Sequence, residues 1–348
     1  MTEPGARKQR TTRRTSQRTT LMDVAARAGV SAITVSRFFN EPHRVGAEAA
    51  ARVKAAVEAL DYVPNLAAGG LASAQSRVVA MVVPNISGPI FAHTLEALSD
   101  GLAAAGYQLL LASSYFSQDN EERAVRAFLG WRPAALVLTS RHHSAATERL
   151  IEATQVPVIE TWELTPRRPT LQIGFSHRQV GRDAAAHLWG RGYRQLAFVH
   201  NSAAGDLSAQ ERHDGFAEAL RELGHRGAPV AVRPRAAPPM EAGAEALRAL
   251  LARKRQRPDA VFFANDNLAC GALLAAQREG WSVPGDVAVF GFGDYAFADK
   301  LLPSLSTIRP PAREIGEIAA AHVLTLVGGQ QPKRLTALAC EVIARESD

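Results

Sequence analysis

The first regular pattern of apolar residues begins close to the N-terminus. Apolar side chains recur there at the spacing of an amphipathic helix, at Leu21, Val24, Ala25 and Ala28. Thr20 is expected to cap this helix by accepting the backbone N–H of Asp23, whose carboxylate reaches back to the cap. Gly29 permits a tight turn, and Ser31 is expected to cap a second helix that runs to about Phe39. The pattern predicts a helix-turn-helix.

The second helix has one apolar and one polar face. Val35, Phe38 and Phe39 are expected to pack inward, against a third helix over about residues 47–60. The positions that would face a DNA major groove are Ala32, Ile33, Ser36 and Arg37. An ordinary helical hairpin without DNA contact is the alternative reading of the same pattern.

A different pattern begins at Arg77, where short apolar strands alternate with helical segments. The strands VVAMVVP, YQLLLAS, AALVLTS and PVIET form one series, and LQIGF, QLAFVH, DAVFFAND and DVAVFGF form a second. Such alternation predicts two doubly wound α/β lobes with parallel sheets. The chain is expected to cross between the lobes near residues 162–168, 293–304 and 327–334.

Charge and composition add further expectations. The net charge is +6, and residues 1–20 hold six basic side chains against Glu3 alone. This arm suits contact with phosphates, although such tails are also solubilising extensions. No apolar run approaches the roughly 18 residues of a membrane span. Cys270 and Cys340 have no partner at metal-ligand spacing, so no metal site is expected. No cofactor and no membrane partner are expected either.

Ligands of open parallel sheets bind beyond the carboxyl ends of the strands. The residues at those positions mix aromatic, amide and charged side chains, which favours a polar ligand. They are Pro84, Asn85, Ile86, Thr139, Ser140, Arg141, Glu160, Trp162, Phe175, Asn265, Asp266, Gly293 and Asp294. Three of these residues have alternative, purely structural roles: Glu160 could balance a nearby arginine, Asp266 could cap a helix, and Trp162 could cover the connection between the lobes.

The runs TLMDVAARAGVSAITVSRFFNEPHRV and ALDYVPNLAAGGLAS resemble the headpiece and hinge of the lactose-repressor (LacI/GalR) family. The resemblance implies a homodimer on double-stranded operator DNA, with Ala32, Ile33 and Arg37 reading bases and Leu71 wedging into the minor groove. The other implied DNA contacts are Thr20, Ser31, Thr34, Ser36, Asn40, Arg44, Asn65 and Ala68. Gly69 and Gly70 depart from the lactose repressor's own hinge, and each costs about 1 kcal/mol in a helix.

The resemblance continues to about residue 344 through the motifs FSHRQVG, SAQERHDGFAEAL, ANDNLACGAL, GFGD and LSTIRP. It divides the chain into a basic arm (1–19), a helix-turn-helix domain (20–63), a hinge (64–76) and a two-lobed ligand-binding and dimerisation domain (77–348). Arg212 matches the effector-contacting arginine. The complete predicted effector set is Asn85, Phe91, Thr139, Arg141, Glu160, Trp162, Phe175, Arg212, Asn265 and Asp294.

Gly293 stands where many sugar-binding members carry an aspartate, which disfavours a simple neutral sugar. The runs AITVSRFFNEP, VPNISGPIFAHTLEAL, LVLTSRHHS and VPVIETWEL resemble the gluconate-repressor branch, and Arg212 with Arg141 suits a carboxylate. The sequence therefore predicts a cytoplasmic, nucleoid-associated regulator with a sugar-acid effector such as gluconate or a ketogluconate. A transport-type sugar-binding protein and a sugar-acid enzyme are the rivals; no nucleophile-base-acid set is evident for the enzyme.

Overall fold

A computed structural model describes residues 19–64, 76–86, 88–165, 168–203, 205–236 and 238–348. The arm at 1–18 and the hinge positions 65–75 therefore lie outside the described residues. The chain divides into two compact units, Met1–Ser76 and Arg77–Asp348. Within the described residues, no helix combines the length and apolar character needed to cross a lipid bilayer.

The first unit contains α1 (Leu21–Ala28), α2 (Ala32–Asn40) and α3 (Ala47–Ala59), with a short 3₁₀ turn at Pro42–Arg44. The predicted capping box is present, since Thr20 and Asp23 bond each other's backbone N–H groups. Gly29 has a φ of 63°, the left-handed conformation that the turn between α1 and α2 requires. Val24, Val35 and Val53 are fully buried and join the three helices in one small core.

The second unit begins with a six-stranded parallel sheet in the order β11-β5-β4-β3-β1-β2. Its strands are β1 (Val78–Val83), β2 (Gln108–Ser113), β3 (Ala135–Leu138), β4 (Val158–Glu163), β5 (Leu171–Phe175) and β11 (Leu335–Ala337). Three helices follow β1, β2 and β3 in turn: α4 (Ala92–Ala104), α5 (Gln118–Gly130) and α6 (Ala145–Ala153). A 3₁₀ turn at Pro89–Phe91 leads into α4, and α11 (Ala312–Val327) precedes β11.

A second parallel sheet has the order β7-β6-β8-β9. It contains β6 (Leu196–Val199), β7 (Val230–Val232), β8 (Ala260–Phe263) and β9 (Ala288–Phe290), with α7 (His177–Gly190), α8 (Leu207–Glu222), α9 (Pro239–Leu251) and α10 (Asp266–Glu279). A 3₁₀ turn at Ala298–Lys300 follows, and β10 (Thr307–Arg309) pairs antiparallel with β12 (Glu341–Ile343). The predicted fold class, a helical headpiece with a two-lobed α/β body, is confirmed.

The positions of the chain crossings differ from the prediction. The strand LQIGF was assigned to the second lobe, but as β5 it pairs with β4 in the first sheet. The segment near 162–168 therefore connects two neighbours of one sheet. The chain leaves that sheet after β5, returns between β10 and α11, and leaves again between β11 and β12. A buried parallel strand reads as apolar in either sheet, so the sequence pattern did not reveal its partner.

Candidate DNA interface and ligand cavity

The outer face of α2 carries the residues predicted to read DNA bases. Ile33 is 64% exposed, and Arg37, one helical turn later, is also exposed. Val35 is fully buried on the opposite face, where it anchors α2 in the headpiece core. In a major groove, an exposed apolar side chain can contact the methyl group of a thymine, and an arginine can bond the edge of a guanine.

Several predicted DNA contacts also hold the headpiece together. The Ser31 hydroxyl accepts the Thr34 N–H at 3.1 Å, and the two hydroxyl oxygens lie 2.9 Å apart. The Thr20 hydroxyl donates to Asp23 at 2.7 Å. Arg44 pairs with Glu41 at 2.7 Å, and this bond lowers the pKa of the Glu41 carboxyl. Ala32 and Ser36 are half-buried.

Part of the predicted DNA-binding set cannot be placed. Asn65, Ala68 and Leu71 lie outside the described residues, as does the side chain of Asn40. The minor-groove wedge and the hinge contacts therefore remain predictions from the resemblance.

A cavity of about 280 Å³ lies at the carboxyl ends of the strands in the second unit. Residues from the ends of β1, β3, β4 and β8 line it together with the start of α8, as expected for ligands of open parallel sheets. Six of the predicted effector residues are among its lining: Asn85, Phe91, Thr139, Trp162, Arg212 and Asn265.

Aromatic side chains form one wall of the cavity. The rings of Phe91 and Trp162 lie 4.8 Å apart in an edge-to-face arrangement. The Trp162 indole N–H donates to the buried Thr94 hydroxyl at 3.2 Å, which in turn donates to the Ala312 carbonyl at 2.6 Å. Phe175 packs behind this wall, 5.8 Å from Trp162, and does not line the cavity.

Arg212 is the central cation of the cavity and is only 4% exposed. Its guanidinium donates to His177 Nδ1 at 2.9 Å and to the Ala264 carbonyl at 3.0 Å, and it lies 4.4 Å from the centre of the Phe292 ring. Its Nε has no hydrogen-bond partner, and no carboxylate in the described part of the chain forms an ion pair with it. Burial lowers the pKa of this arginine.

The groups that contact Arg212 directly carry no negative charge, and the carboxylates of Asp206 and Glu163 in the same cavity offset only part of the effect of burial on its pKa. Burial and the adjacent Arg212 cation hold the pKa of His177 well below its ordinary value, so His177 is neutral and accepts the hydrogen bond. A Cβ at Gly181 would lie 1.9 Å from the Arg212 carbonyl oxygen. Glycine at that position therefore lets α7 approach α8 closely enough to bring His177 to Arg212.

The start of α10 contributes an amide to the cavity. Asn265 caps this helix by accepting the Leu268 N–H at 3.1 Å and donates to the Asn201 side chain at 2.7 Å. The sequence favoured the next residue, Asp266, as the cap of this helix, but in the structure Asp266 has another role. Asp266 is fully buried, accepts bonds from Thr307 at 2.6 Å and the Tyr295 N–H at 2.9 Å, and burial raises its pKa to about 7.

Three charged residues of the predicted effector set lie outside the cavity lining, and each of them pairs with another charged side chain. Arg141 pairs with Glu211 and lies 3.5 Å from Glu163. Glu160 contacts Arg168 at 2.9 Å, which agrees with the alternative prediction that Glu160 balances a nearby arginine. Asp294 pairs with Arg309 and Arg345, each at 2.6 Å. These partners are distant in sequence, so spacing alone did not predict the pairs.

The cavity also contains residues that the sequence analysis did not single out. Among the polar ones are Glu163, His177, Asn201, Asp206 and Ser208. Asn201 follows β6, so the rule that ligands bind beyond strand ends would have found it. Glu163 ends β4 directly after Trp162, and alternation along a strand predicts that it faces the other way.

A helix-turn-helix joined in one chain to an α/β body, with a cavity lined by aromatic and polar side chains, defines the class of ligand-responsive DNA-binding proteins. The model of bacterial regulatory proteins of the lacI family matches residues 20–65, and that of the periplasmic binding protein-like domain matches residues 185–347.

The HTH-type transcriptional regulator GntR of Pseudomonas aeruginosa is 38% identical over 96% of this chain and 97% of its own length. A LacI-family transcriptional regulator from Silicibacter pomeroyi superposes with a TM-score of 0.86 at 28% identity, over 94% of this chain and 99% of its own. The Lac repressor dimer bound to operator and an anti-inducer gives a TM-score of 0.81 at 27% identity, over 95% and 99%.

The chain therefore belongs to the lacI family of bacterial regulatory proteins. It is a transcriptional regulator that binds DNA through its N-terminal helix-turn-helix.

Proposed function

We propose that this protein is a homodimeric repressor whose affinity for operator DNA is set by a sugar acid, such as gluconate or a ketogluconate, bound in the cavity. In this proposal the ligand is bound and released unchanged. The regulator acts in the cytoplasm, at the nucleoid. Ile33 and Arg37 read bases in the major groove, and the arm and hinge add phosphate and minor-groove contacts.

Arg212 is the observation that carries the sugar-acid assignment. Its guanidinium has five N–H donors, and the described chain engages it through His177 and Ala264 without a carboxylate. A buried cation that no carboxylate contacts is costly. A ligand carboxylate would balance the charge and accept the remaining donors in a fork geometry. A neutral sugar would supply no opposite charge to this guanidinium.

The remainder of the cavity fits a polyhydroxy chain. Asn85, Asn201 and Asn265 supply amide groups, and the Phe91 and Trp162 rings supply an apolar wall. Such a combination of a few polar groups with aromatic surface is typical of small-molecule sites. The similarity to a regulator named GntR, together with the gluconate-branch resemblance of the sequence, supports the same ligand class.

Residues from both sheets face the ligand, which provides a route for regulation. Asn85 and Trp162 extend from the first sheet, whereas Arg212 and Asn265 belong to elements of the second. A ligand that binds one arrangement of the two lobes more tightly shifts the protein toward it. The change in operator affinity is limited by that difference in ligand affinity. The Lac repressor, a similar protein, binds operator as a dimer, which supports the same assembly here.

Fluorescence anisotropy on the DNA upstream of the protein's own gene tests this proposal. We expect tight, sequence-dependent binding that changes on addition of gluconate, 2-ketogluconate or 5-ketogluconate. Binding that is indifferent to all three would contradict the sugar-acid assignment and leave the DNA-binding assignment standing. Mass spectrometry of the ligand after incubation should show no product; turnover would favour the enzyme alternative.

A further inference from the structure

The backbone at the end of β4 has an unusual conformation. Trp162 has a φ of 74°, in the left-handed region that bulky side chains rarely adopt. The strand nevertheless continues, with Trp162 opposite Gly174 and Glu163 opposite Phe175 on β5. Conformations of this kind persist where the surrounding structure enforces them, and they cluster at functional sites.

Gly174 is what makes this conformation possible. A Cβ at Gly174 would lie 2.6 Å from the Glu163 nitrogen and 2.6 Å from the Trp162 carbonyl carbon, closer than real Cβ atoms approach. Successive side chains of a regular strand point to opposite faces. Here both Trp162 and Glu163 line the cavity. The altered backbone therefore brings a carboxylate to a wall that regular alternation would have left without one.

The Glu163 carboxylate is buried but retains hydrogen-bonding capacity. Its side chain is 5% exposed, and it accepts bonds from the Ser208 hydroxyl and from the Arg141 N–H at 3.2 Å. The Arg141 and His142 side chains lie 3.5 and 3.7 Å away. A carboxylate has about four acceptor positions, so the two hydrogen bonds leave others for a ligand. Burial raises the pKa of Glu163.

Glu163 also lies where two cavities meet. A second cavity of about 460 Å³ shares six lining residues with the first, among them the polar residues Thr139, Glu163, Asp206 and Ser208. Most of its remaining polar lining consists of hydroxyl, amide and carboxylate groups, at Ser114, Ser117, Gln118, Asp119, Glu121 and Ser140. Within the described residues that line this second cavity there is no arginine or lysine. The second cavity therefore suits hydroxyl groups better than a second anionic group.

We propose that Glu163 recognises the hydroxyl groups of the effector, its carboxylate accepting hydrogen bonds from the polyhydroxy chain of a sugar acid whose own carboxylate lies at Arg212. This inference rests on the proposed function and adds a specificity-determining residue to it. Arg212 and Glu163 together would select a ligand that is anionic at one end and rich in hydroxyl donors along its chain.

A purely structural role for Glu163 makes a different prediction. If it served only to balance Arg141 and to bond Ser208, the protein would not distinguish ligands by their hydroxyl groups through this residue. Replacement would then change stability but leave the ranking of ligands unchanged.

Titration calorimetry on the full-length protein distinguishes the two roles. The ligands are gluconate and its 2-deoxy, 3-deoxy and 6-deoxy analogues, and the proteins are unaltered, Glu163→Gln and Glu222→Gln. Glu222 lies on α8, is 61% exposed and pairs with Arg182, so its replacement is the matched control. Binding of each protein to operator DNA without ligand reports that it is folded.

We expect the unaltered protein to bind one deoxy analogue about 10- to 100-fold more weakly than gluconate, the range for a hydrogen bond to a charged group. Glu163→Gln should bind gluconate more weakly and should discriminate less against that analogue, because the glutamine oxygen still accepts a hydrogen bond but lacks the charge that makes the carboxylate the stronger acceptor. Glu222→Gln should match the unaltered protein.

Equal affinity of the unaltered protein for gluconate and all three deoxy analogues would overturn the inference, whether or not the variant folds. Full discrimination retained by Glu163→Gln would overturn it as well, and both results would leave the proposed function standing. Failure of the unaltered protein to bind any of these acids would overturn the proposed function and this inference together.

Discussion

Two arginines near the ligand cavity have opposite surroundings. Arg141, in the loop after β3, pairs with Glu211 and lies 3.5 Å from Glu163. Arg212, on α8, is more deeply buried and contacts a neutral histidine, a carbonyl and an aromatic ring. Both arginines looked equally suited to a ligand carboxylate in the sequence. Under the proposed function, Arg212 is therefore more available to a ligand carboxylate than Arg141, whose charge already has a carboxylate partner.

The same difference has a thermodynamic meaning. A buried charge without a counter-charge lowers the stability of the unliganded protein, whereas a paired charge is compensated. Rules of good packing are broken most often where function requires it. Under the proposed function, the guanidinium of Arg212, which no carboxylate contacts, favours binding of an anion over the stability of the empty site.

The largest expected effect follows from removing Arg212. Arg212→Ala should weaken gluconate binding by about 2–5 kcal/mol, the usual cost of deleting one partner of a buried charged pair. Arg141→Ala should weaken it by less than about 1 kcal/mol, because its charge is already balanced. Titration calorimetry measures both affinities. Equal losses in the two variants would contradict the distinction between these arginines.

Stability without ligand should reverse the order of the two arginines. Arg141→Met leaves Glu163 and Glu211 without their cation and should lower the free energy of unfolding by about 1–3 kcal/mol. Arg212→Met removes a buried charge that no carboxylate contacts and should cost less stability than Arg141→Met. Urea denaturation followed by tryptophan fluorescence gives both values. A loss for Arg212→Met as large as that for Arg141→Met would show that the fold does compensate Arg212.

A third arginine, Arg37, extends the comparison to the headpiece, where it is exposed on α2. Arg37→Ala should reduce the preference for operator over unrelated DNA by about 1–3 kcal/mol if it contacts a base edge. Its affinity for gluconate should equal that of the unaltered protein. Anisotropy with operator and scrambled DNA measures the preference, and an unchanged ratio would rule out base contact.

Asp266 tests the effect of burial on a negative charge. Because its folded-state pKa of about 7 exceeds the ordinary 3.8, its proton stabilises the fold at low pH, and this contribution disappears as the pH rises through 7. Asp266→Asn removes the titration. Its stability relative to the unaltered protein should therefore increase from pH 5 to pH 8, by at most about 1.4 kcal/mol per pH unit. A pH-independent difference in denaturation midpoints would contradict this.

The sequence predicted local features most successfully. The capping box at Thr20, the turn at Gly29 and the inward position of Val35 all depend on residues within one or two helical turns, and the structure contains each of them. The rule that ligands bind beyond the carboxyl ends of strands singled out Asn85 and Asn265, and both residues line the same cavity. Such features are encoded by spacing, which is visible in a single chain.

Tertiary partners could not be predicted in the same way. The neighbour of β5 depends on which sheet it joins, and both sheets accept an apolar strand. The pairs Arg141–Glu211 and Asp294–Arg345 join residues far apart in sequence. Glu163 was missed for a further reason: its orientation follows from the left-handed backbone at Trp162, which departs from the alternation that sequence patterns assume.

The most direct test of the account is a comparison of charged and neutral ligands of the same length. Titration calorimetry of the unaltered protein with gluconate and with glucitol, its neutral hexitol counterpart, isolates the carboxylate that we place at Arg212. We expect measurable binding of gluconate and binding of glucitol weaker by about 2–5 kcal/mol. Equal affinity for the two, or tighter binding of glucitol, would contradict it.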